Sequence, residues 1–102
     1  MKIVRVIYEV RPEYAEQNKA NVEAVMSDLR SINNPGVKYA TYVQEDGVTF
    51  MHFAQFQSEE DNQVLNDLDS FKKFRLELKE SQPVQPPSAT PLSLVAAGFD
   101  LF

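Results

Sequence analysis

The first strand-like segment is mostly apolar, and apolar residues take up helical spacing after residue 12. Residues 2–10 are rich in β-branched and aromatic side chains, which predicts a strand with Val4, Val6, Tyr8 and Val10 on one face. From Pro12, a favourable first helical residue, to Asn33, apolar residues recur every three or four positions, which predicts one long amphipathic helix. The apolar positions of this helix are Ala15, Val22, Val25, Met26, Leu29 and Ile32.

Two further strands, residues 37–43 and 48–56, flank the dipeptide Asp46-Gly47, which is a strong hairpin signal. A two-residue type I′ turn would have positive φ at both of these residues and would fix the pairing of the strands. The predicted partners are Thr41 with His52, Val43 with Phe50, Tyr39 with Ala54 and Val37 with Phe56. The opposite face of the hairpin is also apolar, so we expect both faces to be covered.

A second helix is predicted after Ser58, because this N-cap residue is followed by three acidic side chains. Its apolar positions are Val64, Leu65, Leu68, Phe71, Phe74 and Leu78, and Asp69-Ser70 marks a bend or a restart. Residues 81–91 contain four prolines and predict an extended connector. Residues 92–97 then have the composition of a fourth strand, and the apolar tail 99–102 follows.

The order strand, helix, strand, strand, helix, strand predicts an α+β, ferredoxin-like βαββαβ domain that spans residues 1–102. Two helices cover only one face of its four-stranded antiparallel sheet. Because the other face is also apolar, we expect a homodimer in which two sheets pack together as a dimeric α+β barrel. The tail 99–102 is hydrophobic enough to favour contact with the partner.

Composition excludes several classes of function. The net charge of −5 argues against nucleic-acid binding, and the chain has no run of about 18 apolar residues that would span a membrane. Arg5 and Glu9 interrupt any apolar signal core, so a cytoplasmic location is expected. With one histidine and no cysteine, we expect no metal site and no cofactor.

Several segments resemble the antibiotic-biosynthesis-monooxygenase-like group of dimeric α+β barrel proteins. They are the long first helix, Pro35-Gly36-Val37-Lys38-Tyr39, the aromatic third strand that ends in Phe56-Gln57-Ser58-Glu59-Glu60, and Phe71-Lys72-Lys73-Phe74. The resemblance covers most of residues 2–80. It implies a ligand cavity between sheet and helices, and either cofactor-independent oxygenation of quinol- or anthrone-type aromatics or haem degradation.

The chain departs from that group at functional positions. Phe56 stands where tryptophan or tyrosine is common, Leu65 stands where a histidine is common, and the chain has no tryptophan. The side chains associated with haem degradation therefore cannot be assembled, and haem degradation is not expected.

His52 is the candidate catalytic base, because a neutral imidazole can accept a proton from a phenol or an acidic C–H group. Tyr39, Thr41, Phe50 and Phe56 are the candidate residues for binding a small aromatic substrate, since the hairpin places them on the histidine face. Tyr8 and Tyr42 also carry hydroxyls that could bind such a ligand. The residues leave open a second interpretation, in which His52 is satisfied locally in the core and the protein is a non-catalytic dimer that binds small molecules or acts in stress.

Overall fold

The computed structural model describes all 102 residues. Four strands, three α-helices and one 3₁₀ turn follow in the order that the sequence predicts, with the second helix divided in two. They are β1 (Lys2–Glu9), the 3₁₀ turn (Pro12–Tyr14), α1 (Ala15–Ile32), β2 (Val37–Val43), β3 (Thr49–Phe56), α2 (Glu59–Asp67), α3 (Asp69–Glu80) and β4 (Gln85–Leu92). None of the three α-helices has the length and hydrophobicity of a membrane-spanning segment.

The sheet has four strands in the order β2-β3-β1-β4, and each neighbouring pair is antiparallel. The helices pack on one face of the sheet, where the buried side chains of β1 and β3 meet those of α1 and α3. The fold is therefore α+β and ferredoxin-like, as predicted. Because β1 and β3 are the central strands, their inward side chains are the most deeply enclosed.

The long first helix ends where the sequence places its end. Asn33 adopts the left-handed conformation with φ of 55°, and its N–H donates to the carbonyl of Leu29. Asparagine tolerates this C-terminal position because its short polar side chain lowers the strain of positive φ. The helix itself begins at Ala15, since Pro12 opens the 3₁₀ turn and not the α-helix.

The predicted second helix is two helices that meet at Leu68. Ser58 caps α2 through a hydrogen bond from the N–H of Asp61 to its hydroxyl oxygen. Leu68 has extended backbone angles, and α3 restarts at Asp69, where the sequence marks a break. The change of direction lets both helices contribute to the core, α2 through Leu65 and α3 through Phe74 and Leu78.

The hairpin has the predicted register but a different turn. Thr41 lies opposite His52, and the other three predicted pairs are also present. A type I′ turn needs positive φ at both Asp46 and Gly47, but only Gly47 has it, at 76°. The loop is instead closed by the N–H of Gly47, which donates to the carbonyl of Gln44, and by the carboxylate of Asp46, which accepts from Val48 and Thr49.

The fourth strand was predicted in the wrong place. β4 runs over Gln85–Leu92, inside the predicted proline-rich connector, whereas residues 93–97 form no strand. Proline lacks an N–H, but an edge strand uses only one side of its backbone for pairing, so it tolerates proline. Pro86 and Pro87 lie at an irregularity in the register between the pairs Ile7–Ser88 and Glu9–Gln85.

The two faces of the sheet have different surroundings. The helix-facing side is closed, with Tyr8, Phe50 and Phe56 each at most 2% exposed. The outer face has no helix, and Tyr42 on it is 60% exposed. The C-terminal residues are exposed as well, most of all Val95 at 99% and Phe99 at 73%.

Candidate functional site

His52 occupies the middle of β3 on the helix-facing side of the sheet. Its direct neighbours across the two ladders are Val6 on β1 and Thr41 on β2. Alternation along β3 directs Phe50, His52, Ala54 and Phe56 inward, and all four are buried. His52 is only 2% exposed, so a polar ring lies within an otherwise apolar layer.

Both ring nitrogens of His52 have hydroxyl partners. The Tyr8 hydroxyl lies 2.7 Å from Nε2, and the Tyr39 hydroxyl lies 2.7 Å from Nδ1. The Thr41 hydroxyl is a second, longer contact of Nδ1 at 3.1 Å. The imidazole is thus held between two tyrosines that belong to strands on either side of it.

Asn18 of α1 determines which group donates and which accepts in each of these hydrogen bonds. Its Nδ2 donates to the Tyr8 hydroxyl oxygen over 2.8 Å, which leaves the Tyr8 proton free to donate to Nε2 of His52. A neutral imidazole whose Nε2 accepts carries its proton on Nδ1. Nδ1 then donates to the hydroxyl oxygen of Tyr39, and the proton of the Tyr39 hydroxyl has no acceptor in the protein.

Only the NH₂ group of the Asn18 amide makes a hydrogen bond. The side chain is 0% exposed, yet its Oδ1 has no hydrogen-bond partner. A buried carbonyl without a hydrogen-bond partner destabilises the folded protein. Because this oxygen belongs to the amide that bonds to Tyr8, it is available to accept a hydrogen bond from the Tyr8 hydroxyl. If the amide turned over, Oδ1 could accept the Tyr8 proton and the whole chain of hydrogen bonds could reverse.

Aromatic rings surround the imidazole. Its ring centre lies 5.3 Å from that of Tyr8, 5.6 Å from that of Tyr39 and 5.3 Å from that of Phe74 on α3. Phe71 extends this wall, because it packs against both Phe74 and Tyr39. The rings exclude water and leave the hydroxyls as the main polar groups around His52.

Burial sets the protonation states in the cluster. Loss of hydration lowers the pKa of His52 from 6.5 to about 4, so the imidazole is neutral at pH 7. Burial also raises the pKa of the Tyr8 hydroxyl, against the opposing effect of the hydrogen bond from Asn18. The pKa of Tyr39 is raised by burial and, to a smaller extent, by Tyr8. Both tyrosines therefore keep their protons, and the site is an uncharged network of donors and acceptors.

A small gap lies beside His52. It is too narrow to hold a water molecule and is lined by Val22, Val25, Met26, Tyr39, His52 and Phe74. A larger open groove of about 1460 Å³ runs between α1 and the free edge of β2. Val22, Met26 and Tyr39 belong to both linings, so these three side chains separate His52 from the groove.

The structure brings together some of the predicted site residues and separates others. Tyr39 and Thr41 bond to His52 directly. Phe50 stacks on Tyr8 with ring centres 5.6 Å apart. It therefore packs against a hydrogen-bond partner of His52 and not against His52 itself. Phe56 pairs with Lys2 and Val37 near the far end of β3, about 13 Å from His52 along the strand, and lies outside the cluster.

Three residues around His52 were not predicted from the sequence as site residues: Asn18, Met26 and Phe74. Met26 and Phe74 fit the apolar helical pattern, and nothing local shows that they face a histidine. Asn18 carries a usable signal, because it lies three residues after Ala15 and four before Val22, within the buried stripe of α1. A polar residue at such a position must find a partner, and Tyr8 is that partner.

Comparison with solved structures supports the fold. Rv0793 from Mycobacterium tuberculosis superposes with a TM-score of 0.77 at 18% identity, over 96% of this chain and 98% of its own. A protein from Bacteroides thetaiotaomicron, provisionally named an antibiotic biosynthesis monooxygenase, gives 0.82 at 14% identity, over 97% and 93%. A protein from Nitrosomonas europaea with the same provisional name gives 0.78 at 14% identity, over 94% and 100%.

These likenesses confirm, at the level of the fold, the resemblance that the sequence predicted. No protein-family model matches the chain, and the search of curated proteins found no match. At identities of 18% or less, the structural likeness carries no information about substrate. The chemistry open to this chain depends on the residues around His52.

Proposed function

We propose that this protein belongs to the antibiotic-biosynthesis-monooxygenase-like group and oxygenates a small quinol- or anthrone-type aromatic without a cofactor. The observation that carries the proposal is a neutral, buried imidazole with a tyrosine hydroxyl 2.7 Å from each ring nitrogen. Such a group can accept a proton in a site that excludes water. The shared fold with structures that bear the monooxygenase name supports the assignment.

The reaction balances without an external reductant. With the Asn18 amide turned over, Nδ1 of His52 would carry the lone pair, and Tyr39 would turn its hydroxyl from Nδ1 to the substrate. Nδ1 would then take a proton from the reactive carbon of an anthrone, and the resulting carbanion would give its electrons to O₂. One oxygen atom would remain on that carbon as a carbonyl, and the other would leave as water with both hydrogens of the carbon. The substrate thus supplies all four electrons that reduce O₂.

The low pKa of His52 fits this role when the substrate is present. Burial penalises the imidazolium in the ligand-free protein. During proton transfer the imidazolium would form beside the substrate anion that it creates, and their attraction would offset the penalty. The base would therefore be active only with substrate in place, which limits unproductive protonation.

Tyr39 has the contacts expected of a substrate-binding residue. Its hydroxyl bonds to Nδ1 of His52, and its own proton has no protein acceptor. That free donor could bind the phenolic or carbonyl oxygen of an aromatic and stabilise the charge that develops there. Asn18 and Tyr8 would act as positioning residues, because they reach the substrate only through His52.

Catalysis requires the gap beside His52 to widen. The gap has no room even for a water molecule, whereas ligand pockets begin at roughly 300 Å³. Met26 and Tyr39 must therefore move before an aromatic can reach His52. Methionine suits this task, since its unbranched side chain changes rotamer easily.

The narrowness of this gap also favours a second candidate function. If the side chains beside His52 do not open, the imidazole is a structural group whose two nitrogens are both satisfied. The protein would then be a non-catalytic dimer that binds a small apolar molecule in the outer groove. This candidate predicts ligand binding without turnover.

A homodimer is part of both proposals. The outer face of the sheet has no helix over it and carries Ile3, Ile7, Tyr42, Met51 and Phe53. Tyr42 and Phe53 pack edge to face at 6.0 Å and form an aromatic pair in the middle of this surface. A second copy related by a two-fold axis would bury both apolar faces at once.

Oxygen consumption tests the enzymatic proposal. The purified protein should consume O₂ with an anthrone or quinol and form the matching quinone, and His52→Gln should reduce the rate by about 100-fold or more. Tyr39→Phe should also slow the reaction, because it removes the free donor. Lys73→Gln, an exposed change on α3, is the control for handling and folding. No turnover by the native protein, or an unchanged rate in His52→Gln, would contradict the proposal.

A further inference from the structure

The hydrogen bonds between Asn18 and Tyr39 form one row that can run in either direction. The row passes from Nδ2 of Asn18 to the Tyr8 hydroxyl at 2.8 Å, and from there to Nε2 of His52 at 2.7 Å. On the other side of the ring, Nδ1 lies 2.7 Å from the Tyr39 hydroxyl. A hydroxyl and a neutral imidazole each donate one hydrogen bond and can accept another. If one member of the row reverses, the others must therefore reverse with it.

Neither direction satisfies the Asn18 amide completely. In the resting direction, as we name the direction present in the structure, Nδ2 donates to Tyr8 and Oδ1 has no partner, although the side chain is 0% exposed. In the reversed direction Oδ1 would accept from Tyr8, and the NH₂ group would be left without a partner. Because each direction leaves one buried amide group unpaired, the amide gives neither direction a large advantage. Asn18 is therefore suited to a row with two states.

The two directions differ in the tautomer of His52. In the resting direction the ring proton is on Nδ1, so this nitrogen cannot accept another proton. In the reversed direction the ring proton is on Nε2, and the lone pair of Nδ1 accepts from Tyr39. The proposed reaction needs this lone pair, so only the reversed direction prepares His52 for catalysis. Thr41, whose hydroxyl lies 3.1 Å from Nδ1, fits both directions because its O–H can rotate.

The two ends of the row have different surroundings. Asn18 is 0% exposed and belongs to the buried face of α1. Tyr39 lines the open groove between α1 and β2. A ligand that enters from the groove therefore meets the row at Tyr39, and its effect would reach Asn18 through His52 and Tyr8.

The ligand group that contacts Tyr39 would select the direction. A quinone carbonyl accepts from the Tyr39 hydroxyl and favours the resting direction, in which that proton has no acceptor in the protein. A phenolic hydroxyl donates to the Tyr39 oxygen, and the Tyr39 proton then finds its acceptor in Nδ1, as the reversed direction requires. A ligand shifts an equilibrium by the difference in its interactions with the two states. One additional hydrogen bond in the reversed state corresponds to a shift of about fivefold.

From these observations we propose that Asn18 is the switch residue of a two-state row that distinguishes a quinol from a quinone. A phenolic hydroxyl at Tyr39 turns the Asn18 amide over and puts His52 in the form that accepts a proton at Nδ1. A quinone, which places a carbonyl there, returns the row to the resting direction. This inference rests on the proposed function and narrows its substrate class to aromatics that present a hydroxyl to Tyr39, such as quinols.

The first test observes the tautomer of His52, which is the only histidine of the chain. Protein with ¹⁵N in its histidine ring is studied by NMR at pH 7, where the imidazole is neutral, and under argon, which excludes turnover. Long-range ¹H–¹⁵N correlations distinguish a protonated ring nitrogen from an unprotonated one. The ligand-free protein should carry the proton on Nδ1. Saturating 2-naphthol should shift the population toward Nε2–H about fivefold, whereas 2-methoxynaphthalene, which can only accept, should not.

The second test compares two buried asparagines of α1. Asn18→Leu has a similar size but offers no acceptor for the Tyr8 proton, so the reversed direction would leave that proton unpaired. This variant should keep the His52 proton on Nδ1 and lose the response to 2-naphthol. Asn21→Leu is the matched control, because Asn21 is 4% exposed and bonds to Glu77 outside the row. It should respond to 2-naphthol as the native protein does.

Several results would overturn the switch. They are a ring proton on Nε2 before any ligand is added, a native protein that does not respond to 2-naphthol through lack of binding or of switching, and a response that Asn18→Leu retains. Loss of the response in Asn21→Leu as well would show that the packing of α1, and not the Asn18 amide, controls the tautomer.

The outcomes also separate the switch from the proposed function. Oxygen consumption by a native protein whose tautomer does not respond to 2-naphthol would keep the oxygenase and reject the switch. A tautomer that responds as expected, in a protein that consumes no oxygen with any quinol or anthrone, would keep the switch and reject the oxygenase.

Discussion

The hydroxyl of Tyr8 lies 2.7 Å from Nε2 of His52, although 44 residues separate them in the chain. Tyr8 pairs with Phe50 and His52 pairs with Val6, so the two residues are diagonal neighbours on the same face of the sheet. This contact joins Asn18 on α1 to Tyr39 on β2 through a single row of hydrogen bonds. The contact satisfies two buried polar side chains, and it positions the imidazole that the proposed reaction uses.

Removal of the Tyr8 hydroxyl should destabilise the protein. Tyr8→Phe leaves Nδ2 of Asn18 and Nε2 of His52 buried without this partner, which should lower the free energy of unfolding by about 1–3 kcal/mol. Lys73→Gln is the control, because Lys73 is exposed on α3, and it should change stability by less than about 0.5 kcal/mol. Urea unfolding measures both, and equal stabilities of the two variants would contradict the importance of the network.

Stability should fall as the pH is lowered from 6.5 toward 4. The pKa of His52 is lowered by burial from 6.5 to about 4, so in this range the unfolded chain binds a proton that the native protein does not. The free energy of unfolding should therefore be greatest above pH 6.5 and should decrease by about 3 kcal/mol by pH 4.

His52→Gln is the control for this pH effect, and its unfolding free energy should vary much less between pH 6.5 and about 4.5. Hydrogen bonds from Thr49 lower the pKa of Asp46, and hydrogen bonds from Asn34 and Ser58 lower that of Asp61. These carboxylates consequently stay charged across the window. Chemical unfolding at a series of pH values measures the effect, and the same slope in both proteins would show that His52 does not cause it.

Replacement of Gly47 by alanine should destabilise the protein. Its φ of 76° lies in the left-handed region, and a Cβ there would meet nothing within 4 Å, so the penalty comes from the backbone alone. Gly47→Ala should lower the free energy of unfolding by about 1 kcal/mol. Gly98 also has open space around it but no left-handed φ, so Gly98→Ala should be close to neutral. Thermal unfolding of the two variants should differ, and matching midpoints would mean that the turn relaxes.

The sequence predicted the strand register around His52 but not how tightly the space beside this residue is filled. The alternation along β3 and the Asp46-Gly47 signal placed His52 opposite Thr41 and on the same face as Tyr39, and the structure has this register. The error in turn type left the register unchanged, because Gln44 still faces Thr49. Whether the space beside His52 is open depends on Met26 and Phe74, whose rotamers follow from packing between helices and sheet.

Local patterns alone determined the order of elements, the inward faces of β1 and β3, and the end of α1, because period-two and helical spacing depend on neighbours along the chain. Only the tertiary structure decided where the last strand pairs. Residues 93–97 have the better strand composition, but the sheet takes Gln85–Leu92, because an edge position tolerates proline and this segment lies alongside β1. The row from Asn18 to Tyr39 was likewise decided in three dimensions, since it needs α1, β1, β3 and β2 at hydrogen-bonding distance at once.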